Sequence, residues 1–268
     1  MSIFQKNSDM TPFNISFAGA GRVGTALCKE MYQAGLVIDL IVSVSSENGE
    51  SLATACNAKW SSDLVFPDQT DILIVAVPDQ KLKEVLQNIA CKPETLVVHT
   101  AGSIGIDDFP EHIKRKGVFY PLQTFSKERK VNFKGLPFLI EASDENSLAE
   151  LKQLAETMGG KTHYTDSERR RMIHLAGVFI CNFPNYMLTQ GQDIASKAGF
   201  PFDLLEPLLK ETISKAIDIG PGKAQTGPAV RNDQITIEKH RELLSFSPEK
   251  LRLYNEITRS IIQYHNKS

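Results

Sequence analysis

Between residue 14 and about residue 164, short apolar and β-branched runs alternate with stretches whose apolar residues recur every three or four positions. The runs at 15–18, 36–44, 72–77, 96–100, 118–120, 137–141 and 161–164 predict strands. Several are apolar throughout, as strands covered on both faces are; a strand with one wet face would alternate. Helical patterns start near Arg22, Gln80 and Glu145. In the second, Leu82, Val85, Leu86 and Ile89 mark one apolar face, and Asp79 is placed to cap the first turn. Strand and helix in alternation predict an α/β domain with a mostly parallel sheet.

After Tyr164 the strand pattern stops. Thr165 with Glu168 three residues later reads as a capping box, and a helical pattern continues towards Ala198, with a bend expected at Pro184. Further helices are expected over 201–217 and 234–244, and from the cap Ser247, with Pro248 at the first helical position, to about His265. The stretch DIGPGKAQTGPAVRND between the first two has two Gly-Pro or Pro-Gly turns and reads as a functional loop. The division predicted is therefore an α/β domain at 14–164 and an all-helical domain at 165–268. Residues 172–188 are apolar on nearly all sides, which predicts burial by several helices, a second subunit included, and so a homodimer through the C-terminal helices.

The first strand and helix flank the glycine pattern GAGRVG, in which Gly19, Gly21 and Gly24 form GxGxxG around Ala20, Arg22 and Val23. The first glycine makes a tight turn, the second lets backbone N–H groups approach a pyrophosphate at the positive end of the helix, and the third lets helix and strand pack closely. This is the signature of a Rossmann-type dinucleotide site. A carboxylate at the tip of the second strand would bind the ribose 2′-OH of NAD and repel the 2′-phosphate of NADP. Here the tip carries Ser43, Ser45 and Ser46; Asp39 lies too early and Glu47 one residue past. Hydroxyls without a carboxylate, with Arg22 able to pair with phosphate, favour NADP over NAD, with NAD remaining open. Ligands in open α/β sheets lie beyond the carboxyl ends of the strands, which puts Val77, Pro78, Thr100, Ala101 and Gly102 beside the nicotinamide. His99, at the end of its strand, reads either as a buried, hydrogen-bonded imidazole or as a catalytic one.

Composition narrows the class. The 268 residues carry a formal net charge of −2, and the only short basic runs are 127–130, interrupted by Glu128, and 169–171. This argues against a nucleic-acid surface. The four cysteines, Cys28, Cys56, Cys91 and Cys181, show no metal-binding spacing, so no metal is expected and a reducing compartment is. The first residues lack the apolar stretch of a secretory signal, which leads to a cytoplasmic location. Residues 172–188 are short for a bilayer span and are interrupted by His174, Asn182, Pro184 and Asn185, so no membrane is expected.

Two polar groupings in the helical half carry candidate chemistry. At helical spacing Arg171, His174, Val178 and Asn182 share one face. Either they hydrogen-bond within the helical domain, or His174 donates a proton during reduction while Asn182 orients the substrate. In TGPAVRND, Thr226, Gly227, Arg231 and Asp233 could hold an anionic substrate; alternatively Asp233 caps the next helix and Arg231 pairs at the surface.

The segments GAGRVG, VAVPD, VVHTAGS, FYPLQTF, GLPFLIEAS, RMIHLAGVFICNF and TGPAVRND together resemble the Rossmann-like NADP oxidoreductases whose second half is a helical domain of unassigned function. More distantly the chain is similar to pyrroline-5-carboxylate reductase, ketopantoate reductase and the 6-phosphogluconate dehydrogenase class. The resemblance implies a helical domain that often dimerises and a nicotinamide site in the cleft between the domains. It departs from the family at Tyr120, often histidine there, and at the serines after the second strand, where a basic residue is common. The expected function is transfer of hydride between NADP(H) and a small polar carbonyl, hydroxy acid or imine. The alternative is a dinucleotide-binding sensor or scaffold without turnover, because GxGxxG reports binding only.

Overall fold

The computed structural model describes residues 13–126 and 129–266. Residues 127 and 128 of the first basic run thus lie outside the described residues. The chain divides into two compact units, Met1–Cys181 and Asn182–Ser268.

The first unit is built on one sheet of β1 (Asn14–Ala18), β2 (Val37–Val42), β3 (Lys59–Ser61), β4 (Ile72–Val75), β5 (Leu96–His99), β6 (Arg115–Pro121), β7 (Pro137–Ala142) and β8 (Lys161–Tyr164). The strand order is β3-β2-β1-β4-β5-β6-β7-β8. Pairing is parallel from β3 to β6; β7 runs antiparallel to β6, and β8 parallel to β7. Helices α1 (Arg22–Gln33), α2 (Ser46–Ala55), α3 (Asp79–Asn88), α4 (Glu145–Thr157) and α5 (Ser167–Gly177) belong to the same unit.

The pleat divides the core. On one face Ile15 and Phe17 of β1 and Ile72 and Ile74 of β4 join Leu27 and Met31 of α1, Leu52 of α2 and Leu151 and Leu154 of α4. On the other, Ala18, Leu73, Val75 and Val97 join Leu82 and Leu86 of α3, with Phe109 and Ile113. Every residue of β4 and β5 is buried, which is why those strands read as unbroken apolar runs.

The structure corrects four local readings. Helix α2 and strand β3 are additional elements: only Gly49, Leu52 and Ala53 of α2 are buried, too few to write a period, and β3 has 3 residues. Asp79 is the first helical residue of α3 and not its cap; the N-cap is Pro78, without a side-chain bond. The cap of α5 is Asp166, whose carboxylate accepts from the Arg169 N–H, in place of the Thr165–Glu168 box. The stretch DIGPGKAQTGPAVRND, read as a loop, contains a turn of helix at Pro221–Ala224.

The second unit consists of α6 (Phe183–Lys197), α7 (Glu206–Ile219), the one-turn α8 (Pro221–Ala224), α9 (Gln234–Leu243) and α10 (Pro248–His265), capped by Ser247 as its sequence indicates. A π-helical turn, Val178–Asn182, connects α5 to α6. Pro184 in the first turn of α6 has no N–H to give to a carbonyl one turn back, and a wider turn just before it accommodates the missing bond. Sheet and strand pattern end at Tyr164, whereas the compact unit runs on to Cys181, because side chains of α5 are tied into the sheet. Among the described residues of the second unit only Ala229, Ile237, Leu244 and Thr258 are buried, while Phe183, Tyr186, Leu208, Ile213, Ile217 and Phe246 are exposed. No described helix is long and apolar enough to cross a membrane.

Candidate dinucleotide and proton-transfer site

The glycine turn shows why each glycine stands where it does. Gly19 has φ +109°, and a Cβ there would lie 2.4 Å from the Ala76 carbonyl oxygen. At Gly24 a Cβ would lie 2.3 Å from the Gly19 carbonyl oxygen, so α1 packs directly on the turn. Gly21 differs: a Cβ would meet nothing nearer than the Ala76 oxygen at 4.0 Å, and its φ of −78° suits any residue. No contact among the described residues calls for a glycine here. Helix α1 also has no side-chain cap and no acidic residue in its first turn, so its N–H groups and positive dipole end remain for an anion. Those features fit a dinucleotide pyrophosphate lying against Gly21.

At the tip of β2 the three serines do not converge. Ser43 is buried, donates to the Ser45 carbonyl at 2.7 Å and accepts from the Trp60 indole N–H at 3.1 Å. Gly49 closes over that pair, since a Cβ there would sit 2.2 Å from the Ser43 hydroxyl. Ser45 caps α2, accepting from the Asn48 backbone and side-chain amides. Ser46 is exposed. The Ser43 hydroxyl proton is therefore committed internally, a correction to its expected role on a phosphate. Asp39 is held away by Gln69 at 2.8 Å.

Beyond β4, β5 and β6 a polar cluster forms that the sequence only half shows. The Tyr120 hydroxyl, at the end of β6, lies 3.0 Å from Nδ1 of His174 on α5, with the two rings edge to face. Gly102 lies beneath both: a Cβ would sit 2.6 Å from His174 Nδ1 and 2.9 Å from Tyr120 Cζ. The neighbouring Ser103 donates to the Asp79 carboxylate in a short hydrogen bond, and its carbonyl accepts from Arg171 Nε at 3.0 Å. Burial, and secondarily the Asp79 charge, hold the Tyr120 phenol above its ordinary pKa.

Helix α5 is placed by a buried ion pair. Arg170, 0% exposed, bonds the Glu141 carboxylate of β7 at short range and the Ile104 carbonyl at 2.6 Å. Ser167 donates to the same carboxylate and accepts from the Ile106 N–H at 3.0 Å. One residue further along α5 comes Arg171, and one turn further His174. Glu141 carries no signal of its own in the sequence, Arg170 only its place in the basic run 169–171, and no local spacing marks the pair.

The remaining candidates fall as follows. Val77 is half-buried and Pro78 exposed at the start of α3; Thr100 donates its N–H to Val75 at 3.3 Å. Asn182 closes the π turn and begins the second compact unit. The face shared by Arg171, His174, Val178 and Asn182 assumed 3.6 residues per turn throughout; across a π turn that spacing no longer sets the direction of Asn182. In the second unit Asp233 caps α9, accepting from the Thr236 N–H at 3.1 Å, which holds its carboxyl below the usual range. This is the cap role that the sequence offers as one of its two readings. Thr226 and Arg231 are exposed, Gly227 has φ +108°, and Arg231 makes no ion pair among the described residues.

His99 belongs to the core. It is 0% exposed, accepts from the Ala101 N–H at 3.2 Å and stacks on Phe109. Burial, and then the Arg170 charge, push its pKa down to about 3, so the ring is neutral at working pH and is no general acid. This sets a pH dependence of stability. As pH falls from the ordinary histidine value of 6.5 towards 3, the unfolded chain takes up a proton that the folded chain refuses. Stability at this site is complete above 6.5 and is lost on acidification at about 1.4 kcal/mol per pH unit. Urea unfolding at pH 7 and pH 5 is expected to show His99→Gln losing about 2 kcal/mol less than wild type between the two. Equal losses would remove His99 from the acid response.

The sheet and glycine turn define a dinucleotide-binding class of domain, and residues 1–123 match the family described as a Rossmann-like domain. Residues 136–261 match a domain of unknown function, DUF2520. The chain is 40% identical to the Bacteroides fragilis protein named "putative NADP oxidoreductase BF3122", over 94% of this chain and 98% of that one, with a TM-score of 0.88. The chain belongs to this family, which joins a Rossmann-like domain to DUF2520. Protein TM1727 of Thermotoga maritima has 24% identity over 94% of this chain and 98% of that one, with a TM-score of 0.68. A reductive aminase of Aspergillus terreus, in complex with NADPH and ethyl-5-oxohexanoate, has 14% identity over 95% of each chain and a TM-score of 0.68. These last two share the fold. No curated protein matches the chain.

Proposed function

We propose that the protein is an NADP(H)-dependent oxidoreductase acting on a small polar carbonyl, hydroxy acid or imine. The observation that carries this reading is Gly21, a glycine that no contact among the described residues requires, at the uncapped start of α1. The turn formed by residues 19–24 would hold the pyrophosphate, with Val77, Pro78, Thr100, Ala101 and Gly102 bordering the nicotinamide end. Bound there, the cofactor supplies or accepts the hydride. The chain's own part is proton transfer: hydride addition to a carbonyl or imine creates a basic atom, and Tyr120 Oη and His174 Nδ1, 3.0 Å apart, hold the proton to meet it. Arg171, pinned through Nε to Ser103, keeps its terminal nitrogens for an anionic group on the substrate. The name of the 40% identical relative, and the NADPH bound to the A. terreus enzyme, support the choice of cofactor.

Titration of the full chain with NADPH and NADH, beside a reductant-consumption assay on pooled keto acids and cyclic imines, tests the reading. Submicromolar to micromolar NADPH binding with turnover of one pool is expected. Tight binding with no turnover on any pool would favour a sensor. Gly21→Val is expected to weaken NADPH at least tenfold at an unchanged melting temperature, since a Cβ there meets no described atom nearer than 4.0 Å. Gly24→Ala, by contrast, lowers the melting temperature. NADPH affinity unaffected by Gly21→Val would sink the pyrophosphate placement.

We also infer a homodimer through the C-terminal helices. Within the apolar run 172–188, Met172 and Ile180 are both more than half exposed in the single chain. An uncovered patch of this kind marks an association surface. Light scattering at micromolar concentration should give twice the 29.8 kDa chain mass; a monomer would refute it. The free cysteines suit the reducing cytoplasm.

A further inference from the structure

A groove of about 460 Å³ runs along α1, between α2 and Ser126, Arg129, Lys130, Val131 and Phe133. Among the described residues its walls carry Arg22, Lys29, Arg129 and Lys130 against one acid, Glu30. We propose that this groove binds a phosphate monoester dianion.

The charge is local, because the whole chain has a net charge of −2. Among the described residues none of the four cations makes an ion pair; the Lys130 ammonium donates only to the neutral Gln33 amide, at 3.2 Å. Four like charges gathered around one concavity raise its potential and call for an anion, and an apolar wall, here Val131 and Phe133, strengthens the attraction by excluding water. A phosphate monoester carries about −1.5 to −2 at pH 7, against −1 for a carboxylate, and so matches several cations at once. The volume admits a phosphate with a small organic body.

The groove also adjoins the glycine turn, since Gly21 and Arg22 belong to both. Asn48, one turn into α2, lines the same space. Two of the three serines at the tip of β2 are engaged in internal bonds, so a 2′-phosphate needs its cations from elsewhere. One source of the dianion is therefore the 2′-phosphate of NADP, which rests on the cofactor reading above. The other is a separate phosphorylated small molecule, which does not.

The test uses the full chain and the double variant Lys29→Gln/Lys130→Gln, both exposed positions, with an unchanged melting temperature as the control for folding. Each protein is titrated calorimetrically with NADPH, NADH and inorganic phosphate at low salt, where charge attraction is least screened. A tenfold or greater loss of NADPH affinity with NADH unchanged assigns the groove to the 2′-phosphate. Loss of inorganic phosphate binding with both dinucleotides unchanged assigns it to a separate phosphorylated ligand. If wild type binds phosphate and the variant does not, while neither dinucleotide binds wild type, the groove stands and the cofactor reading falls. A double variant indistinguishable from wild type for all three ligands overturns the proposal.

Discussion

His174→Ala is expected to lower kcat on the substrate found in the pooled assay by about 10²-fold, the usual scale of general acid catalysis, with NADPH affinity nearly unchanged. Tyr120→Phe removes the hydroxyl that lies 3.0 Å from His174 Nδ1 and should lower kcat in the same direction. If the two side chains act as one unit, the double variant loses little more than the worse single variant. Gly102→Ala offers a separate probe: its Cβ would arrive 2.6 Å from His174 Nδ1, forcing the rings apart while leaving both in place. A slow Gly102→Ala enzyme that still binds NADPH would show that the geometry of the pair matters and not merely its presence. Full activity in both His174→Ala and Tyr120→Phe would move the proton donor to water, because His99 is neutral and buried.

Arg170→Met is expected to destabilise the protein by about 3 to 5 kcal/mol, the usual cost of leaving a buried charge without its partner. The charge left behind is Glu141, 14% exposed, with Ser167 as its remaining donor. Removing both charges in Arg170→Met/Glu141→Leu should recover much of that loss, since an apolar pair of similar volume avoids desolvation. Among the described residues Arg170 Nε has no hydrogen-bond partner, so the pair is not optimised for stability alone. Its evident work is to seat the first turn of α5 against β7 and the chain at Ile104, and thereby to set His174 opposite Tyr120. The double variant should consequently be stable yet slow. Urea unfolding and kcat measured together check this, and a double variant with both native stability and native kcat would contradict it.

The elements that depend on near neighbours along the chain are legible in the residues alone. The apolar runs of β1, β4 and β5 read as strands because both their faces are buried, and the glycine turn read as a dinucleotide site because three glycines within six residues impose a local backbone path. Ser247 and Pro248 placed the start of α10 for the same reason. Helix α2 was not legible, since its burial is only three small or apolar residues, and the π turn before Pro184 upset a face argument that held only at 3.6 residues per turn. The site was legible in pieces: His174 and Gly102 were visible as candidates, but Tyr120 read as a departure from the family and His99 as a rival acid. Only the tertiary structure brought Tyr120 to His174, 54 residues apart, and joined Arg170 to Glu141 across 29. Only it spent the Ser43 hydroxyl on Trp60 and Ser45, and gathered Lys29 and Lys130 around one groove. Such contacts follow from how the sheet orders its strands and from which side chains α1 and α5 turn towards them, and a hydrogen bond between distant residues leaves no period or spacing for the sequence to show.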